Sequence, residues 1–280
     1  MKTVTAAFQC ELRKIFWRAK YWIMLFVYAA IGLGAGLIGA SGYNIRTITE
    51  FTFSITGPNV VYGALSMYRT FLIPLAVFML SADVFTQELE SKSIKCVLVR
   101  PINRFDAYLA KCLAILCYVA IALGIGYIAA ETWQIVAWGL SGNASATSGI
   151  FGGDASAAPA ASAAYAAARL LIIAESLASY ALTLLPMAAF ITVAAFIAIL
   201  IRSPALVMFL CIVLYILFAF FGTFNSAVGA ALFTTYSSWY RMWFGERLPW
   251  RNLLAAAGLM LSTCVVFFGF GYFIFDKKEI

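Results

Sequence analysis

The chain has no histidine, little charge and no glycine-rich phosphate loop, and each absence removes a class of function. Without histidine it lacks the commonest metal ligand and the side chain most used as a general base near neutral pH. No nucleophile–base pair stands out, and no carboxylate spacing suggests two groups sharing acid–base work. A GxxxxGKS/T run is absent, so ATP cannot be held on a P-loop. The six cysteines are Cys10, Cys96, Cys112, Cys117, Cys211 and Cys264, mostly in or beside apolar stretches and with no CxxC pair. They read as buried thiols rather than a disulfide or zinc framework. Only 11% of residues are charged, where soluble domains run at about 25%.

What is present is apolar surface. Hydrophobic residues make up 64% of the 280 positions and the mean hydropathy is +0.94. A soluble core could not hide that much, so the class is a polytopic membrane protein. The net charge of +7 fits basic loops on anionic lipid better than nucleic acid as a partner.

A spanning helix needs about 20 apolar residues. Runs of that length place spans at 21–40, 63–84, 106–130, 168–201, 204–223 and 252–275. The expected fold is therefore all-α, with six transmembrane helices in one domain over 1–280. Residues 203–240 carry no charge, too long a stretch for one crossing, so 224–251 is assigned to an outer re-entrant or interfacial segment. Residues 1–19 form an interfacial helix, because Val4, Phe8, Leu12, Ile15 and Phe16 recur at helical spacing among Arg13, Lys14 and Arg18. They are too long for a signal-peptide n-region, and the apolar run that follows can span. An outer loop occupies 131–167, rich in Ala, Ser and Gly over its later part.

With the N-terminus inside, 13 of the 19 Lys and Arg residues fall on the cytoplasmic side and six outside. The positive-inside rule then puts both termini in the cytoplasm. Trp17 and Trp22 mark the inner interface, and Trp133, Trp138, Trp239, Trp243 and Trp250 the outer one.

One stretch breaks the apolar pattern. Asp83 to Lys111 holds nine of the 31 formal charges, so it lies in water or at the headgroups. Glu88, Lys92 and Lys95 share a helical face, with Glu88 placed favourably before Lys92. Ile94, Val97 and Leu98 share another. This predicts an amphipathic helix over 86–100. Pro101 pushes Arg100 out of helical geometry and ends it. Asn103 can cap the following helix, with Asp106 reaching back.

The run Glu88-Leu89-Glu90-Ser91-Lys92-Ser93-Ile94-Lys95, then Leu98-Val99-Arg100-Pro101-Ile102-Asn103-Arg104, then Lys111, resembles the first cytoplasmic loop of ABC-2 type transporter permeases. That loop has an acidic residue, a Gly-Thr pair, a short apolar stretch, an Arg-Pro-small/polar-Arg element and a lysine opening the third span. Lys92-Ser93 departs from the usual Gly-Thr, which bears on the turn at that point. Glu11-Leu12-Arg13-Lys14-Ile15 is similar to the family's interfacial helix. The resemblance, joined to the six-span layout, covers essentially the whole chain.

It implies the membrane subunit of a bacterial ABC exporter in the plasma membrane, not an enzyme by itself. The 86–100 element would be a coupling helix docking on a separate ABC ATPase, present in two copies beside a permease homodimer. ATP and Mg would belong to that partner, and this chain would carry no cofactor. Coupling contacts would come from Glu88, Glu90, Lys92, Lys95, Arg100, Arg104 and, from the turn between spans four and five, Arg202. Short re-entrant helices between spans five and six are also implied.

Charges inside spans are functional hypotheses by default. Glu175, early in the fourth span, is the first candidate for the substrate path, with a structural ion pair as the plain alternative. Arg69 and Asp83, near the ends of the second span, are placed to snorkel to the headgroups. Arg69 is also carried as a path candidate. Phe224, Tyr236 and Trp239 offer an aromatic face that could close an exit, or simply an aromatic belt. Pro74 and Pro186 are expected to kink spans two and four. Gly32, Gly34, Gly36 and Gly39 give the first span a smooth packing face. The expected substrate is hydrophobic or amphipathic: a drug, peptide antibiotic or lipid. An ion-driven secondary transporter and a lipid-modifying membrane enzyme are the competing readings. The first would show paired intramembrane charges and matching halves, the second an interfacial cluster of His, Asp or Glu.

Overall fold

The computed structural model of the protein describes residues 2–40, 45–46, 54–55, 60–90, 103–138, 173–201, 203–224, 229, 232–243 and 250–277. Helix α1 (Lys2–Phe16) leads into α2 (Ala19–Ala40). A two-stranded antiparallel ladder pairs β1 (Ile45–Arg46) with β2 (Ser54–Ile55). Then come α3 (Val60–Met67), a π-turn (Tyr68–Leu72) and α4 (Ile73–Glu90) as one continuous rod. Helix α5 (Arg104–Trp138) follows. Residues 173–182 are helical and turn at Thr183 into α6 (Leu184–Leu200). Helix α7 (Pro204–Phe224), a 3₁₀ segment (Phe233–Trp243) and α8 (Trp250–Lys277) complete the order.

Among the described residues six helical stretches are long and apolar enough to cross a bilayer: Ala19–Leu37, Val60–Thr86, Arg104–Val136, Ile173–Leu200, Pro204–Gly222 and Trp250–Lys277. The second and fourth form the centre. Their apolar windows are 72% and 67% buried, against 11% and 17% for the fifth and sixth.

Packing follows the small residues. In α2, Tyr21, Leu25, Tyr28, Gly32 and Ala35 are buried at alternating spacings of four and three, one stripe of the helix. Trp22, Ile23, Phe26, Leu33 and Leu37 point away and are exposed, as suits a lipid-facing surface. The buried stripe packs on α5. A Cβ at Gly32 would meet the Tyr68 hydroxyl at 2.7 Å, and one at Gly36 would meet Trp133 Cδ1 at 1.8 Å. Those two glycines therefore admit aromatic rings from neighbouring spans. Gly34, by contrast, has open space beside it.

Tyrosines tie the central helices together. Tyr118 of α5 donates to the Tyr21 carbonyl of α2 at 2.8 Å. Tyr68 donates to the Tyr28 carbonyl at 2.7 Å, and Tyr180 to the Val61 carbonyl at 3.0 Å. Each ring is buried and each hydroxyl ends on a backbone acceptor, which satisfies it inside apolar surroundings.

The two prolines act through the carbonyls they release. An α-helical residue 74 would bond the Thr70 carbonyl, but Pro74 has no N–H. The hydroxyl of Tyr215 from α7 takes that oxygen at 2.8 Å. The backbone widens just before it, with Ile73 N bonding Tyr68 O in the π register. Pro186 likewise releases the Leu182 carbonyl, and the indole N–H of Trp239 takes it at 3.0 Å. Both expected kinks thus have partners from elsewhere in the chain.

Three expectations concern the ends of these helices. Residues 131–138 of the expected outer loop 131–167 continue α5, because Trp133 is anchored at Gly36. In the expected coupling helix 86–100, residues 86–90 are the end of α4, and 91–100 lie outside the described residues. Asn103 does open the next helix, its carbonyl accepting from Ala107 N at 3.1 Å.

Candidate functional site

Two groups of polar contacts stand out against the apolar body. The first lies where α1 and the start of α2 meet the end of α4 and the start of α5. Helix α1 packs on α5 with Ile15 buried and Phe8 and Phe16 partly so, which turns Glu11 inward. Glu11 Oε1 lies 2.9 Å from Lys14 Nζ and 3.3 Å from Lys111 Nζ. Asp83 Oδ2 accepts from Lys20 Nζ and, at 2.6 Å, from the Tyr21 hydroxyl. Glu11 and Asp83 are each 8% exposed and Lys111 is 4% exposed. Between these pairs is a narrow cleft of about 30 Å³, lined by Glu11, Lys14, Arg18, Tyr21 and Asp83 among others. Nearby, Arg104 bonds the Asp276 backbone carbonyl, with its Nε 3.9 Å from the Asp276 carboxylate. This holds the foot of α5 to the end of α8.

The second group is built on the π-turn. Four consecutive residues there meet four different neighbours. Tyr68 enters the central bundle. Arg69 Nη1 donates to Ser237 Oγ of the 3₁₀ segment at 2.9 Å. The Thr70 carbonyl receives Tyr215. Phe71 is 51% exposed and lines an open groove with about 700 Å³ of empty space. Leu75 and Phe78 from α4 and Ile212, Tyr215 and Ile216 from α7 line the rest of it. A longer ring cluster behind the groove joins Phe78, Phe190 and Tyr215, with centroids 5.6 to 6.3 Å apart.

The candidates named from sequence separate into three sets. Arg104, Arg69, Glu175, Tyr236 and Trp239 are placed. Glu88 and Glu90 lie in the last turns of α4 and Phe224 ends α7, their side chains outside the described residues. Lys92, Lys95, Arg100 and Arg202 also lie outside. Arg69 and Asp83 were expected to reach toward the headgroups; in the structure both side chains are turned into the protein. The rod begins at Val60 and runs to Glu90, so both sit well inside it, are buried, and end on protein partners. Trp239 is 4% exposed and packs with Leu253, Ala256 and Met260, which sets it within the protein rather than in a belt. Tyr236 packs at the edge of that cluster. Glu175 is half-buried, within electrostatic reach of Tyr62, and its carbonyl accepts from Ser179 Oγ at 2.8 Å.

Sequence reasoning missed the roles of Glu11, Lys20, Thr70, Tyr215 and Ser237. Pro74 was the available signal for Thr70, since a helical proline always releases a carbonyl four residues back. Among the described residues no group of three or more His, Cys, Asp or Glu side chains could hold a metal ion.

A family model described as ABC-2 family transporter protein matches residues 6–280. No curated protein matches the chain.

Proposed function

This chain belongs to the ABC-2 transporter family and is a membrane permease subunit of that type, and on that premise we propose that it exports a hydrophobic or amphipathic substrate. Members of this family pair with a separate ABC ATPase, and we place two copies of that ATPase beside a permease homodimer. The termini, α1 and the α4–α5 connection lie on the cytoplasmic side in this reading. The ATPase then docks there, on the connection and on the turn holding Arg202, and the 3₁₀ segment lies at the outer face.

The observation that carries the substrate class is the groove between α4 and α7. Phe71, Leu75 and Ile216 on it are exposed on apolar spans, and its walls are almost wholly apolar. The Tyr215 hydroxyl on its wall is already bonded to the Thr70 carbonyl. A molecule with an apolar body could enter from the membrane, so the substrate need not pass through water. Closure of the ATPase pair would displace the α4 rod at its foot and change the groove at the π-turn, a site where helix geometry is already irregular.

The test is reconstitution with the cognate ATPase in proteoliposomes, scored against a panel of hydrophobic dyes and fluorescent lipid analogues. Apolar compounds should raise ATP hydrolysis at least twofold, and Ile216→Arg in the groove wall should remove the stimulation. Equal stimulation by hydrophilic compounds, or stimulation untouched by Ile216→Arg, would refute the substrate assignment.

A further inference from the structure

We infer that the groove between α4 and α7 reads a hydrogen-bond donor on its ligand, and that the Thr70 carbonyl and the Tyr215 hydroxyl are the pair that reads it. On the reading that this groove takes an apolar substrate, on which the inference rests, that substrate carries a hydroxyl or a primary amide.

Pro74 leaves the Thr70 carbonyl without its helical donor, and a side chain from another span, the Tyr215 hydroxyl, fills the acceptor at 2.8 Å. A backbone N–H in that place could not leave without unwinding the helix. A side-chain donor can be exchanged for another donor. The hydroxyl of Thr70 itself does not compete, because it is bonded to the Ser66 carbonyl at 2.7 Å. Thr70 and Tyr215 both line the groove, so the exchange takes place where a ligand arrives. Pro186 releases the Leu182 carbonyl in the same way, but there the donor is Trp239. That indole is 4% exposed and packed with Leu253, Ala256 and Met260, so its acceptor is closed off.

Tyr215 also stands on a helix that yields. The apolar window of α7 is 11% buried, against 72% for the rod it touches. A second, smaller opening of about 20 Å³, lined in part by Cys211, Leu214 and Phe218, shares Tyr215 and Phe78 with the groove. The two rings therefore have slack beside them.

A ligand hydroxyl that enters between the pair satisfies both members. Its proton goes to the Thr70 oxygen, and its oxygen accepts the Tyr215 proton. No buried group is left open. A primary amide does the same through its N–H and its carbonyl. An ether or an ester offers only an acceptor. It can take the Tyr215 proton only by uncovering the Thr70 carbonyl, so it binds through apolar contacts alone. The groove thus prefers an apolar alcohol to its ether by about fivefold, the worth of one net hydrogen bond.

Fluorine NMR tests this on the full chain, with p-trifluoromethylphenylalanine in place of Phe71, which is 51% exposed on the groove wall. The chain is held in nanodiscs of phosphatidylcholine, a lipid whose headgroup has no O–H or N–H donor. The probes are dodecanol and its methyl ether, titrated at matched mole fractions in the bilayer. Wild type should bind the alcohol about fivefold more tightly than the ether. Pro74→Ala returns an N–H to the Thr70 carbonyl, so the ratio should fall to about one. Tyr215→Phe leaves that carbonyl open to the ligand, so the ratio should rise to about tenfold or more. Pro186→Ala, at the enclosed acceptor, should leave it as in wild type. Four results overturn the inference: a wild-type ratio near one, a ratio that survives Pro74→Ala, a ratio abolished by Tyr215→Phe, or one that Pro186→Ala lowers as Pro74→Ala does. Wild type against Pro74→Ala decides the matter even if Tyr215→Phe fails to fold. Saturable binding of both probes, removed by Ile216→Arg, keeps the groove as the apolar site even where the ratio is one. Shifts that neither saturate nor respond to Ile216→Arg bring down the groove first, and the inference with it.

Discussion

The foot of the bundle and its middle are joined by different chemistry. At the foot, α1 meets α5, α2 meets α4 and α5 meets α8 through ion pairs: Glu11–Lys111, Lys20–Asp83 and Arg104–Asp276. In the middle, spans meet through neutral donors on backbone carbonyls: Tyr118 on Tyr21, Tyr68 on Tyr28, Tyr215 on Thr70, Trp239 on Leu182. Charge is affordable only where water or headgroups lie close, because a charge at bilayer depth costs several kcal/mol. Deeper in, a tyrosine or tryptophan brings a polar tip on an apolar body and asks for a single acceptor. Arg69 is the exception: a cation in the middle, held to Ser237 and enclosed by protein.

The contrast can be broken most sharply at the foot. Glu11→Ala removes the carboxylate that Lys14 and buried Lys111 both approach and should cost about 1.5–3 kcal/mol, the range for a hydrogen bond to a charged group. Thermal unfolding in detergent would read it, and a loss below about 1 kcal/mol would mean that the Glu11–Lys111 pair adds little to the foot. In the middle the effect should be smaller and of a different kind. Tyr215→Phe leaves the Thr70 carbonyl without its donor, which should cost about 0.6–1.7 kcal/mol. Pro74→Ala supplies the missing N–H, so in the double variant the Tyr215→Phe loss should shrink to roughly half or less. Additive losses in that double-mutant cycle would show that Tyr215 works by packing and not by filling the released acceptor. The smallest effect belongs to the rim. Asp276 is 52% exposed on its side chain and its carboxylate sits 3.9 Å from Arg104. Asp276→Asn should change stability by about 0.5 kcal/mol or less, and less still at high salt. A larger loss would put the Arg104–Asp276 pair on a par with the buried pairs of the foot.

Sequence legibility follows the same division. Six apolar helices, and the family, could be read because bilayer thickness imposes a run length and the loop carries a motif. Asn103 as a helix start was legible because capping is local. The ion pairs were not: Lys20 and Asp83 are 63 positions apart, and each alone looks like a headgroup charge. The protein partners of Arg69 and Asp83 were not legible either. Apolar runs mark the membrane, while the helical rod continues past them, so residues near the end of a run can be well inside a helix. Trp239 read as an interface anchor because nothing local reveals that Pro186 has released a carbonyl for it.

Those two released carbonyls also set an order for biogenesis. A chain emerges from its N-terminus, so the second span is inserted before Tyr215 exists, and the fourth before Trp239 does. Until then Thr70 and Leu182 each hold an acceptor that their own helix cannot satisfy, in surroundings with little water to do so. The early spans are thus left unfinished, and the closing third of the chain completes them. A product cut short before α7 would keep both acceptors open, a chemical mark by which quality control could tell a partial permease from a whole one.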